Sequence, residues 1–247
     1  MRSFSVQQAR KRALIRATAN ESRGIAIFVH GFNGSFLKTW GELPELLYRH
    51  ADSDPVFAEW DFLFIGYTTL GPTGIWRFSH ISGLIHTEMR DATSGHLAGR
   101  VNMPYQRVAL LGHSLGTLGI RELVASAIQC PAPTFKTIHS IGFFGSPLNG
   151  SLLAHLGQWV APIGGALRPG SPEMIQLQRD VSAGWQARQW PHVNLVLGTE
   201  DMVVGPNLYN WAGDFQPPDY HAVDHSLICK PIDFSDQPVN FLRRVLK

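Results

Sequence analysis

Cysteine is scarce in this 247-residue chain: there are only two, Cys130 and Cys229. They form no metal-binding or redox spacing, which removes zinc modules and disulfide-built scaffolds from consideration. Two thiols in a reducing compartment are expected, with a disulfide between them as the alternative. Charge is also sparse, at 16% of residues, and the net charge of +2 is close to balance. A charge-rich tail or a mainly electrostatic partner such as nucleic acid is therefore not expected. No run of about 18 apolar residues occurs, so no transmembrane helix is predicted. The first residues carry charge with no apolar h-region behind them, so a secretory signal is not expected and a cytoplasmic protein is. No repeat or low-complexity tract stands out either.

What the chain does have is 44% hydrophobic residues, enough to bury the core of one undivided domain over 1–247. Short apolar runs alternate with helical patterns, which predicts a mostly parallel sheet covered by helices on both faces. Strands are expected near 24–30, 61–67, 107–112, 137–145 and 193–198, with a weaker one near 219–224. Helices are expected at 37–50, 79–97, 114–129, 171–189 and 236–246, two of them opened by the start signals Ser171-Pro172 and Asp236 with Pro238. The basic cluster "RKRALIR" (10–16) fits a short helix with Val6, Ala9, Ala13 and Ala17 on its apolar side. A solvated helix face is the expectation for that cluster, and a nucleic-acid or anionic-membrane patch its alternative. Too few residues precede the first core strand to predict an antiparallel hairpin there. The fold expected is thus a sheet of about six strands, ordered 2-1-3-4-5-6 along the chain. Two irregular connections, 68–78 and 147–170, are candidate lids.

The most demanding stretch is "LLGHSLGTLG" (110–119), where a strand runs into Gly112-His113-Ser114-Leu115-Gly116 and continues as a helix. Glycines two before and two after a serine let strand and helix approach closely while the serine is thrust above the sheet, the arrangement of a nucleophile elbow. A serine hydroxyl needs a base to take its proton, and the base needs an acid to orient it. Downstream, "VNLVLGTEDMVVGP" places Asp201 in a turn after a strand, and "YHAVDHSLICKP" supplies His225. Glu200, Asp219 and Asp224 compete for the acid's place, and His221 for the base's. His221 and His225 have the spacing of a metal pair on a helix, but "YHAVDHS" lacks helical periodicity and a third ligand. "FVHGFNG" (28–34) ends the first core strand, making the amide of Phe32 an oxyanion donor alongside that of Leu115 at the helix start. His30 and His113 are read as hydrogen-bonded packing residues. Gly142, Gly145 and Gly150 serve the backbone, and Trp76, Phe78 and Trp159 are either acyl-pocket or core residues.

The stretches "VHGFNGSFLKTW", "LLGHSLGTLGIREL", "FFGSPLNGSLLA", "TEDMVVGP" and "DHSLICKP" resemble the α/β-hydrolase superfamily. Within it they look like the lipase-like serine esterases of the serine-active-site and GPI-inositol-deacylase-type branch. The resemblance spans roughly residues 25–231 and implies nucleophile Ser114, acid Asp201, base His225 and oxyanion amides at Phe32 and Leu115. It implies a carboxylic ester hydrolase without metal or cofactor, acting on a small-molecule or lipid ester and touching a lipid interface transiently. Thioesterase, amidase and acyltransferase chemistry share the same residues, and a non-catalytic binding module shares the fold. Two positions depart from the family pattern: Thr117 replaces a second glycine after the elbow, and Leu148-Asn149 replaces a His-Arg pair.

Overall fold

The computed structural model describes residues 2–17, 24–70, 77–97, 104–129, 132–151, 162–186, 191–204 and 218–247. Six parallel strands carry the fold: β3 (Gly24–Val29), β4 (Trp60–Ile65), β5 (Arg107–His113), β6 (Ile138–Phe144), β7 (His192–Gly198) and β8 (Asp219–His221). Their spatial order is β4-β3-β5-β6-β7-β8, the expected 2-1-3-4-5-6 pattern. The order reverses beside β3, so β3 and β5 diverge into different connections and open a crevice at their carboxyl ends.

The sheet nevertheless has eight strands, not about six. β1 (Arg2–Gln7) and β2 (Arg12–Ala17) form an antiparallel hairpin, and β2 pairs antiparallel with β4. The short helix expected across Val6 to Ala17 is therefore incorrect. The hairpin turns at Lys11, whose φ of 48° is left-handed. Its second strand buries both faces: Ala13 and Ile15 join one core while Leu14 packs against the other. That double burial hides the alternation by which a half-buried strand is recognised. Of the basic cluster, Arg10 and Lys11 are exposed, but Arg12 is buried, as is Arg2 ahead of the cluster. Arg2 is buried, donating to the carbonyls of Trp60 at 2.7 Å and Phe57 at 3.0 Å, and Arg12 pairs with Glu88 at 3.2 Å.

In β3, Ile25, Ile27 and Val29 point into one core, and Ala26 and Phe28 into the other. The first core lies under α2 (Phe78–Thr93), α3 (Leu115–Gln129) and α4 (Pro172–Gln186). The second lies under α1 (Leu43–His50) and α5 (Gln237–Leu246). Ser171 caps α4 by accepting from the Met174 amide at 3.2 Å, and Asp236 caps α5 through the Gln237 amide at 2.8 Å, as their sequence signals predict. Cys229 is a buried free thiol, pushed up to about 12 by burial; Cys130 lies outside the described residues. Among those residues, no helix is long and apolar enough to cross a membrane.

Candidate active site

Ser114 sits alone between β5 and α3 with φ of 52°, a left-handed conformation that costs a non-glycine residue free energy and persists only where its surroundings enforce it. The enforcement is visible. The Ser114 amide donates to the Phe144 carbonyl at 3.0 Å, and its carbonyl accepts from the Thr117 amide at 3.0 Å and the Thr117 hydroxyl at 2.6 Å. With its one proton so used, Thr117 Oγ1 accepts from Ser146 Oγ at 2.6 Å. Thr117 thus braces the elbow where the resemblance leads one to expect glycine. Gly116 lets the helix close onto β3: a Cβ there would lie 2.3 Å from the Val29 carbonyl oxygen. Leu115 opens α3, so its amide lies in the first turn, where no intrahelical acceptor exists.

The loop after β3 carries Phe32 and is pinned from within. His30 Nε2 accepts from the Tyr67 amide at 3.1 Å, so its proton is on Nδ1, which donates to the Gly31 carbonyl at 2.7 Å. Both nitrogens are satisfied only in the neutral ring, and burial pushes the His30 pKa down to about 4. The Tyr67 ring stacks on His30 with centroids 4.3 Å apart, and the Asn33 amide donates to Thr69 Oγ1 at 2.9 Å. Thr69 belongs to the candidate lid 68–78, so this part of it is a brace for the Phe32 loop.

Asp201 follows β7 and is buried, whereas Glu200 beside it is exposed. One Asp201 oxygen accepts from the Val203 and Val204 amides, both at 2.9 Å; the other lies 2.7 Å from His225 Nδ1. Burial alone would raise this carboxyl, but the hydrogen bond and charge of His225 and the two amides outweigh it and hold the pKa below the usual carboxylate range. Gly145, with φ of 54°, clears room for the pair: a Cβ there would stand 3.2 Å from His225 Nδ1. The His225 carbonyl accepts from His113 Nε2 at 2.8 Å, so His113 holds the backbone of its neighbour and is also neutral. Burial, with the nearby His225 adding, drives the His113 pKa down to about 3.

The competitors have other partners. Asp219 pairs with Arg244, and Asp224 accepts from the Ser226 and Leu227 amides, closing the turn that carries His225. His221 is buried in β8, and no group of three metal-ligating side chains occurs among the described residues. Phe78 is buried in the core under α2; Trp76 and Trp159 lie outside the described residues.

Ser114, Leu115, Phe32 and His225 line one cavity of about 310 Å³, walled by Pro147, Ser151, Leu167 and Val203. The candidate lid 147–170 supplies three of those walls from its described parts; 152–161 lie outside them. Ser151 closes the base of this segment, its amide donating to the Leu167 carbonyl at 2.8 Å and its hydroxyl to the Val203 carbonyl at 2.9 Å. Two contacts had no local sequence signal, the Asp201 oxygen held by Val203 and Val204 and the His113 bond to the His225 carbonyl. The brace at Thr117 had one, its departure from the family pattern.

No family model and no curated protein matches the sequence. Solved structures do match the fold. Phospholipase PlaB from Legionella pneumophila is similar with a TM-score of 0.64 at 17% identity, over 92% of this chain and 60% of that one. The chain therefore spans about three-fifths of that phospholipase. A monoacylglycerol lipase from Paleococcus ferrophilus is similar with a TM-score of 0.56 at 15% identity, over 99% of this chain and 97% of the lipase. Lipase BlEst2 from Bacillus licheniformis in its mature form gives 0.52 at 15%, over 85% and 87%. With the parallel sheet and its strand order, these similarities establish the α/β-hydrolase fold.

Proposed function

We propose that this chain is a serine hydrolase of carboxylic esters. The observation that carries the reading is the Asp201–His225 hydrogen bond of 2.7 Å at a cavity shared with the strained Ser114. Because Nδ1 gives its proton to Asp201, Nε2 of His225 keeps the lone pair a general base needs. Ser114 Oγ attacks the ester carbonyl carbon as Nε2 takes its proton, and the amides of Leu115 and Phe32 hold the oxyanion. The tetrahedral intermediate expels the alcohol, which leaves with the proton from Nε2. Water then attacks the acyl-serine by the same route, releasing the carboxylic acid and restoring Ser114.

Esters come first among the substrates of this shared chemistry because the structural neighbours include lipases and a phospholipase. The mostly apolar cavity suits an acyl chain, and Pro147, Ser151 and Leu167 of the candidate lid segment form part of its wall. Phe32, Met202 and Leu227, exposed beside the proposed machinery, supply an apolar rim for transient contact with a lipid interface. Placement in the serine-active-site and GPI-inositol-deacylase-type branch belongs to this reading and rests on the quoted stretches. A cytoplasmic location does too, supported by the low cysteine content and the free Cys229.

Hydrolysis of p-nitrophenyl esters from acetyl to palmitoyl, by wild type and Ser114→Ala, tests the proposal. Turnover by wild type, reduced about 10³-fold or more in the variant, is expected. Comparable turnover by a folded Ser114→Ala protein would sink it.

A further inference from the structure

A second hollow, of about 270 Å³, adjoins the Ser114 cavity and shares Phe32, His113 and Ser226 with it. The two meet at those residues as arms of one groove, and their chemistry is opposite. Leu115, Pro147, Leu167 and Val203 make the Ser114 arm apolar. The second arm presents Lys38 and Lys230, with the hydroxyls of Ser35 and Ser226, and among the described residues no carboxylate lines it. Among the described residues neither lysine enters an ion pair, although Arg2, Arg12, Arg49, Arg107, Arg243 and Arg244 all do. Two lysines lining one polar hollow give it a positive potential, which an anion bound there would neutralise.

The placement of Lys230 is fixed by the fold. Its amide donates to the Leu227 carbonyl at 2.9 Å, closing the turn that follows His225. Its stem lies against Gly41, where an added Cβ would come within 3.1 Å of Lys230 Cβ.

We propose that this arm receives a phosphate group carried on the alcohol portion of the substrate, with Lys38 and Lys230 as its counter-charges. The proposal rests on the ester-hydrolase reading and sharpens its substrate class. His225 must reach the departing alcohol oxygen to protonate it; Ser226 follows it directly on the chain, and Lys230 lies at the end of the same turn. The cationic arm therefore lies on the leaving-group side, leaving the apolar arm to the acyl chain. Phosphate is favoured over carboxylate because two point-like ammonium groups match a compact dianion, whereas a carboxylate is best met by the planar fork of an arginine, which this arm lacks. The reaction is ordinary hydrolysis: the acyl–oxygen bond breaks, water supplies the carboxylic acid's oxygen, and the phosphate-bearing alcohol leaves with its phosphate bond intact.

Calorimetric titration of hexyl phosphate, which has no ester to cleave, tests binding apart from catalysis. Wild type and Ser114→Ala should bind it, and Lys38→Gln/Lys230→Gln should bind about tenfold more weakly. Equal affinity in the double variant overturns the proposal. Inorganic phosphate binding as tightly as hexyl phosphate also overturns it, since the arm would then be a free-anion site. In turnover, the ratio of kcat/KM for 1-hexanoylglycerol 3-phosphate to that for 1-hexanoylglycerol should fall about tenfold in the double variant and fall with added salt in wild type. A ratio insensitive to both contradicts it. If no ester is cleaved while hexyl phosphate still binds through the lysines, the ester-hydrolase reading fails and the phosphate arm stands.

Discussion

Replacing His113 with glutamine should flatten the response of stability to acid. The ring is 8% exposed and donates from Nε2 to the His225 carbonyl at 2.8 Å. Burial first, then the proximity of His225, lowers its pKa from 6.5 to about 3. Between those values the unfolded chain binds a proton that the folded chain refuses, so the unfolded state gains as pH falls. The resulting loss of stability begins near pH 6.5 and is complete near pH 3. At pH 5, 1.5 units below the unfolded value, it amounts to about 2 kcal/mol at ~1.4 kcal/mol per unit, and at pH 8 it is nil. His30, lowered to about 4 chiefly by burial, has the same sign and is present in both proteins. Glutamine keeps an N–H for the carbonyl and does not titrate. Urea unfolding at pH 8 and pH 5, on wild type and His113→Gln, gives four free energies. Their double difference cancels the packing cost of the substitution. The stability lost between the two pH values should be about 2 kcal/mol smaller in the variant. An equal loss in both proteins would refute the buried, neutral assignment of His113.

Asp201→Asn should lower kcat about 10⁴-fold with little change in melting temperature. Its amide, directed at His225 by the Val203 and Val204 amides on the other oxygen, would favour the tautomer with a proton on Nε2. Steady-state ester hydrolysis checks this, and wild-type turnover would move the acid elsewhere. Gly116→Ala should destabilise by about 2 kcal/mol or more, because its methyl would lie 2.3 Å from the Val29 carbonyl oxygen. A calorimetric melt should show a fall of roughly 5 °C or more; an unchanged melt would mean that α3 yields freely.

The sheet was legible because β3, β4, β5, β6 and β7 are near-continuous apolar runs whose punctuation survives in sequence. The hairpin was not, since Arg12 reads as part of a solvated basic cluster until Glu88 is brought to it from a distant part of the chain. At the site, the glycines around Ser114 mark a sharp local turn, and such a constraint is written locally. The order of Asp201 and His225 followed from the strand pattern. That His225 bonds Asp201 while Glu200 faces solvent depends on the turn after β7, which is a tertiary outcome. The cationic arm is further from reach: Lys38 and Lys230 stand far apart in the sequence, and their segments meet through the packing of Gly41 against Lys230 and the Cys229 thiol donating to the Thr39 carbonyl at 3.2 Å.

The central claim is that His225 makes Ser114 nucleophilic. The most direct measurement is labelling of wild type and His225→Ala by a fluorophosphonate, with the adduct located by peptide mass spectrometry. A single adduct on Ser114, formed at least about 10³-fold more slowly in the variant, is the expected result. An adduct on another serine, or labelling at the same rate without His225, would contradict the claim.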